Sequence, residues 1–178
     1  TVADIRRIEK KGKIAALMGI EGGHAIENSL RTLRMFYKLG IRYITLTHSN
    51  TNDWADSSGD INDATVKHHN GLSDFGREVV REMNRIGMMI DISHPSKQSS
   101  MQTFELSKAP VIASHSGARA LCNHSRNMDD EQLMALKKNG GVMQTVAFAS
   151  YVKCGPPPPE RQPMLDQLNK DFGIQVPA

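Results

Sequence analysis

The chain has 178 residues, 39% of them hydrophobic and 23% charged, with a net charge of +3; this is the composition of one globular domain, or of part of one. So small a charge gives no argument for nucleic acid, and the aromatic–basic interleaving of single-strand binders is missing. No apolar run approaches the ~18–20 residues that cross a bilayer.

In chain order, "TVADIRRIEKKGK" opens as a charged amphipathic segment rather than a signal peptide, because no apolar h-region follows it. Its Arg6, Arg7, Lys10, Lys11 and Lys13 are expected to solvate a helix end. The run "KIAALMGI" (13–20) reads as a strand and ends at Glu21, followed by Gly22 and Gly23. A helix is predicted over 29–39: Ser29 caps it, Leu30, Leu33, Phe36 and Tyr37 form its apolar stripe, and Gly40 stops it. "YITLTH" (43–48) is the second strand, and a long polar loop, 49–72, follows it. Loops of that length inside a domain tend to be functional or mobile.

The next helix, 73–86, has Ser73 as cap, an inward set of Phe75, Val79, Val80 and Met83, and Gly87 as stop. "MMIDISH" (88–94) and "PVIASHS" (110–116) are strands flanking a helix over 96–107. A last helix, 129–139, opens on Asp129 and closes on Gly140 before the strand "GVMQTVAF" (141–148). From Gly155 onward the tail reads as a proline-stiffened linker and a short helix. Near-continuous apolar strands alternating with helices predict a parallel sheet. Right-handed crossovers then leave a barrel or an open doubly wound sheet.

Four of these five apolar runs end in a ligating or catalytic group: Glu21, His48, His94 and His115. Parallel α/β folds build their sites at the carboxyl ends of strands, so in a barrel the four groups would converge on one mouth. Imidazoles with a carboxylate suit Zn²⁺ or a similar divalent ion, which would also pair the charge that Glu21 brings to the edge of a core. Asp91, two residues before His94, either orients a ligand or pairs structurally. His24 reads as a loop histidine or as support behind the ligands; His68 and His69 read as exposed loop residues, and no strand end places His124. GxSxG, P-loop and GxGxxG motifs are absent. Cys122 and Cys154 are too few for a disulfide scaffold and too far apart for CxxC; they are one bridge or two buried thiols.

The stretches "GIEGGHAIENSLRTLRMFYKLGIRYITLTHSNTNDWAD", "NGLSDFGREVVREMNRIGMMIDISHPS" and "PVIASHSGARALCNHSRN" closely resemble the membrane (renal-type) dipeptidases, peptidase family M19. The likeness runs from about residue 4 to residue 154. It implies a (β/α)₈ barrel, two Zn²⁺ ions, and hydrolysis of dipeptides by a water held between the metals. By the same resemblance Glu21 bridges the two zincs and joins in catalysis, while His94 and His115 hold one of them. His48 is the non-ligand histidine that polarises the scissile carbonyl. Arg126 of "SRN" holds the substrate's terminal carboxylate, with Tyr151 near that carboxylate.

The spacing of Cys122 and Cys154 matches a disulfide of extracellular family members, which would make the protein exported. The partner that follows is a dipeptide, with a homodimer and a membrane anchor left open. The family pattern also has a His-x-Asp pair on the first strand and a terminal aspartate in a "DFDG"-like motif. Neither is present here, and "KDFG" at 170–173 sits in a helical context. A full barrel takes ~250 residues. Residues 1–178 are therefore expected to be part of a single barrel domain, supplying roughly its third to seventh strands. Another metal-dependent amidohydrolase, or a non-catalytic fragment lacking the first metal site, is the alternative.

Overall fold

A computed structural model describes residues 1–156 and 159–173. Helix α1 (Val2–Glu9) starts at Thr1, whose side chain and that of Asp4 form a capping box. The basic residues after it are exposed, as expected of a solvated helix end.

The sheet has five strands: β1 (Met18–Glu21), β2 (Ile41–Thr45), β3 (Met89–Asp91), β4 (Ile112–Ser116) and β5 (Val142–Thr145). They lie side by side in the order β1-β2-β3-β4-β5, and every pairing is parallel. A doubly wound sheet reverses its strand order at a switch point. No reversal occurs here, so the arrangement is an arc of a barrel, with the connecting helices α2 (Leu30–Lys38), α3 (Asp74–Ile86), α4 (Lys97–Leu106) and α5 (Asp130–Asn139).

The helix starts follow the caps read from the sequence. The side chains of Ser29, Ser73 and Asp129 accept from the backbone N–H of Thr32, Gly76 and Gln132 respectively. α3 and α5 stop where Gly87 and Gly140 take left-handed φ values of 79° and 78°.

The strands are shorter than the apolar runs, for reasons of pairing. Met18 is the first residue of β1 with a partner, because β2 begins at its neighbour Ile41; residues 13–17 therefore stay outside the ladder and Ile14 is 94% exposed. At the other ends, single backbone bonds continue past the strands, Leu46 N–H to the Asp91 carbonyl (3.2 Å) and Ile92 N–H to the Ile112 carbonyl (2.9 Å). The chain then departs toward His48 and His94, which stand three residues beyond the last residues of β2 and β3.

The core lies between sheet and helices. Ile44, Leu46, Ile90, Ile92, Val111 and Ala113 pack with Leu33, Val79, Val80, Met83 and Leu136, all buried; each large side chain of this set contributes about 1.5–3 kcal/mol by leaving water. Buried Glu82 of α3 ties two helices, accepting from Arg34 of α2 and from Arg85 one turn along α3. The loop 49–72 is held by its own polar network. Asp56, fully buried, accepts from the backbone N–H of His69 (2.8 Å) and Gly71 (2.7 Å), and Trp54 is 1% exposed. His68 and His69 are accordingly half-buried in that network rather than exposed as expected. The tail forms α6 (Ala149–Val152) and α7 (Arg161–Phe172); Pro157, Pro158 and residues 174–178 lie outside the described residues. The "KDFG" segment is indeed the end of a helix, α7, with Gly173 as its left-handed cap.

Candidate active site

Glu21 is the last residue of β1, and the two glycines after it have separate tasks. Gly22 sits at φ 114°, where an L side chain is strained, and a Cβ there would run into the His24 ring. Gly23 has an ordinary φ, but a Cβ on it would collide with the Trp54 indole and the Leu46 carbonyl. The backbone thus turns into a short 3₁₀ helix (Gly23–Ile26) while staying tight against the next strand.

Three of the sequence-predicted groups meet at one point. His94 Nε2 lies 2.8 Å from Glu21 Oε1, His115 Nε2 lies 2.9 Å from the same oxygen, and the two nitrogens are 3.0 Å apart. His48 stands further out, its Nε2 3.8 Å from Glu21 Oε1, with its ring centroid 4.3 Å from that of His94. Glu21, His48 and His94 also satisfy a looser metal-ligand spacing, with donor atoms within 4.8 Å of one another. The triangle through His115 fits better, because ligands at ~2.0–2.1 Å around a tetrahedral ion are about 3.3 Å apart.

The donor chemistry of the triangle suits a cation. Burial first, and then the charge of Arg126, push the His94 pKa down to about 4, so its ring is neutral at neutral pH. The triangle is then richer in lone pairs than in protons, and a divalent ion would satisfy them. Glu21 and His48 are each nearly half exposed and His94 is buried, which gives the site an open side facing solvent.

Behind the ligands lies Asp91, fully buried. Its Oδ1 accepts from the backbone N–H of Ser93 (3.1 Å) and Ser114 (3.0 Å), and its Oδ2 accepts from the hydroxyls of Thr45 (2.6 Å) and Ser114 (2.5 Å). Three neighbouring strands are joined through this carboxylate. Ser114 and Thr45 escaped the sequence reading, which had no period or motif to mark them; only the alternation in "ASHS" puts a hydroxyl beside His115.

Arg126 is 6% exposed, in the loop between β4 and α5. Its Nη2 donates to the His115 carbonyl at 3.2 Å, while Nε and Nη1 are buried without a partner among the described residues. Its Cζ lies 5.4 Å from the centre of the Tyr151 ring. Burial lowers the guanidinium pKa from its ordinary value, yet an arginine stays charged across the accessible range. A buried, charged fork with two free N–H-bearing nitrogens calls for an anion. His124 packs its ring 4.6 Å from that of Tyr151 and accepts the Arg126 backbone N–H at Nδ1; it shapes this corner rather than the triangle. His24 is exposed beside Gly22, away from the three short contacts.

A disulfide joins Cys122 to Cys154, so the bridge is formed and the two-thiol option falls. It clips the loop that carries Arg126 to the segment that carries Tyr151. Asn127 reinforces the clip by donating through Nδ2 to the carbonyls of Cys122 and Tyr151, both at 2.8 Å. No pattern in the sequence singled out Asn127.

Comparison with known proteins identifies the family. Residues 1–171 match the family model described as membrane dipeptidase (peptidase family M19). Dipeptidase 3 of Rattus norvegicus is 47% identical over 142 residues, covering 80% of this chain and 29% of the relative. Among solved structures, the probable dipeptidase PvdM from Pseudomonas aeruginosa superposes with a TM-score of 0.82 at 33% identity, over 97% of this chain and 43% of that one. A metallo peptidase from Rhodobacter sphaeroides, liganded with a phosphinate mimic of the dipeptide L-Ala-D-Ala, does so with a TM-score of 0.75 at 26% identity, over 97% of this chain and 51% of that one. The chain thus spans about a third of the curated relative and about half of the solved neighbours. On the family match over nearly all of its length, this chain belongs to the membrane dipeptidases, peptidase family M19.

Proposed function

We propose that the complete protein is a metal-dependent dipeptidase, with residues 1–178 forming part of its single barrel domain. The observation that carries the reading is the mutual approach of Glu21 Oε1, His94 Nε2 and His115 Nε2 to within 3.0 Å, beside the Arg126 guanidinium, whose Nε and Nη1 have no partner among the described residues. Glu21, His94 and His115 would hold Zn²⁺. Each of the three histidines approaches Glu21 at Oε1, and the same carboxylate would also help to hold a second zinc. When bound, the metal supplies a Lewis acid and a water acidic enough to attack at neutral pH.

The chain's own groups do the rest. Arg126 takes the substrate's terminal carboxylate on its guanidinium, where Nη1 and the second N–H of Nη2 form a fork that a lysine could not offer, and Tyr151 flanks it. That anchor limits cleavage to an amide one residue from a free carboxylate. His48, held at Nδ1 by the Ser49 hydroxyl at 3.3 Å, reaches over the site toward the carbonyl oxygen and stabilises charge that develops there. The dipeptide mimic on the Rhodobacter sphaeroides neighbour supports the substrate class. A disulfide is kept in oxidising compartments, which supports an exported location; among the described residues no helix is long and apolar enough to cross a membrane.

Elemental analysis of the purified complete protein, beside Glu21→Gln, tests the site. About two zincs per chain, lost in the variant, is the expected result, and no metal in a folded protein would overturn it. A panel of dipeptides, tripeptides and N-acylated amino acids tests the substrate: turnover of the N-acylated compounds alone would replace dipeptidase with another amidohydrolase.

A further inference from the structure

Two of the three groups in the triangle are histidines, and a neutral histidine can ligate through Nε2 only if its proton sits on Nδ1. What holds each proton there differs sharply between them. Nδ1 of His94 is buried without a partner among the described residues. Nδ1 of His115 lies 2.7 Å from the Ser114 hydroxyl oxygen, and that hydroxyl is in turn 2.5 Å from Asp91 Oδ2.

On the Ser114 side of the ring, proton counting favours one arrangement, against the pull of Glu21 Oε1 2.9 Å from Nε2 on the other side. An ionised carboxylate accepts only, with about four lone-pair sites, and Asp91 already receives four donors: two backbone N–H groups and the hydroxyls of Thr45 and Ser114. Ser114 has a single hydroxyl proton. Were it turned toward His115, two oxygens carrying only lone pairs would face each other at 2.5 Å in a fully buried position. The proton therefore goes to Asp91, the Ser114 oxygen is left as an acceptor, and His115 Nδ1 must be the donor.

We propose that Asp91, acting through Ser114, is a positioning residue that locks His115 in its Nδ1–H tautomer and so turns the Nε2 lone pair toward Glu21 and His94. The proposal rests on the reading of His115 as a metal ligand for its consequence; without a metal, Asp91 and Ser114 hold the proton on Nδ1 against Glu21 Oε1, which lies 2.9 Å from Nε2. It also gives a physical reason for an ionisable residue fully buried at the end of β3, with its carboxylate behind the triangle. Ligand histidines supported through their second nitrogen hold metal about 10–100-fold more tightly than unsupported ones.

The isosteric substitution Asp91→Asn reverses the relay. With its carbonyl oxygen kept toward the two backbone N–H groups, the side-chain NH₂ stands where Oδ2 was and donates to the hydroxyls of Thr45 and Ser114. The Ser114 proton is then released toward His115 Nδ1, which becomes the acceptor, and the imidazole proton moves to Nε2. Ser114→Ala removes the relay without touching Asp91, and Ser114→Thr restores the hydroxyl.

The test is ¹⁵N-histidine NMR on the complete, metal-free protein, with the His115 signals assigned by their loss in His115→Asn, followed by Zn²⁺ titration against a competing chelator. We expect the proton on Nδ1 in the wild type and in Ser114→Thr, and on Nε2 in Asp91→Asn and in Ser114→Ala, where Glu21 Oε1 is the acceptor left to it. Zn²⁺ binding should weaken by about 10–100-fold in Asp91→Asn and Ser114→Ala only. A wild-type proton on Nε2, or the same tautomer in wild type and both relay variants, overturns the proposal; if Asp91→Asn does not fold, Ser114→Ala decides alone. A tautomer change with unaltered Zn²⁺ affinity would uphold the relay and strike His115 from the ligand set, which separates failure of the site reading from failure of this inference.

Discussion

Arg126 has two buried guanidinium nitrogens without a partner among the described residues, and the energetics of that position yield the sharpest functional prediction. Arg126→Ala removes a charge-assisted, bidentate contact, so KM for dipeptides should rise by at least about tenfold, the equivalent of 1.4 kcal/mol or more. Unchanged KM and kcat in steady-state kinetics would remove Arg126 from the substrate site. His94 makes a pH prediction for the metal-free protein. Its pKa falls from an ordinary 6.5 in the unfolded chain to about 4 in the fold, chiefly by burial. The unfolded state therefore binds more protons between those values. Stability should be level above pH 6.5 and decline as the pH falls from 6.5 to 4, by at most about 3 kcal/mol for this group. Urea midpoints measured across that range, with His94→Gln as control, read the effect; equal slopes in the two proteins would contradict it.

At the scale of elements, the disulfide and the helix ties matter most. The Cys122–Cys154 bridge closes a separation of 32 residues, worth about 3–4 kcal/mol through the unfolded chain. It also fixes the Tyr151 segment beside Arg126. The pair Cys122→Ser and Cys154→Ser should lower the unfolding free energy by that amount and raise KM more than it lowers kcat. Intact mass with and without reductant, which should differ by about 2 Da per bridge, verifies the bond itself. Between α2 and α3, the Arg85 and Arg34 guanidinium groups hold the Glu82 carboxyl down at about 2, from an ordinary 4.5. The stability this contributes is present above pH 4.5 and is lost as the pH falls toward 2. Glu82→Gln should cost about 1 kcal/mol at neutral pH, since both arginines are partly exposed and the pairing is screened. Thermal melts at pH 7 and pH 3 measure it: the gap between wild type and variant should shrink at the lower pH.

For the whole molecule, the arrangement is five parallel strands in sequential order with the site at their carboxyl ends, the end at which barrel enzymes build their loops. Glu21, His94 and His115 come from β1, the loop after β3 and β4, so the triangle exists only when three strands are in register. Chelation of the complete protein should abolish dipeptide turnover, with return on adding Zn²⁺. Full activity in excess chelator, after dialysis to metal-free by elemental analysis, would exclude a metal-dependent reaction. Sedimentation velocity on the same sample reads the homodimer option directly.

Strand and helix alternation, the caps at Ser29, Ser73 and Asp129, and the identities of Glu21, His94 and His115 were legible in the sequence, because periodicity and capping are local and act over a few residues. Arg126 entered only through the family resemblance. The register was not legible. That residues 13–17 leave the ladder depends on where β2 begins, a contact between positions more than twenty residues apart. The choice of a barrel arc over a doubly wound sheet needed the strand order itself. Whether Asp91 pairs structurally or orients a ligand was open for the same reason: its partners, Thr45 and Ser114, lie 46 and 23 residues away. Side chains brought together across strands carry no signature along the chain, and only the tertiary structure shows Asp91 bonded to both neighbouring strands.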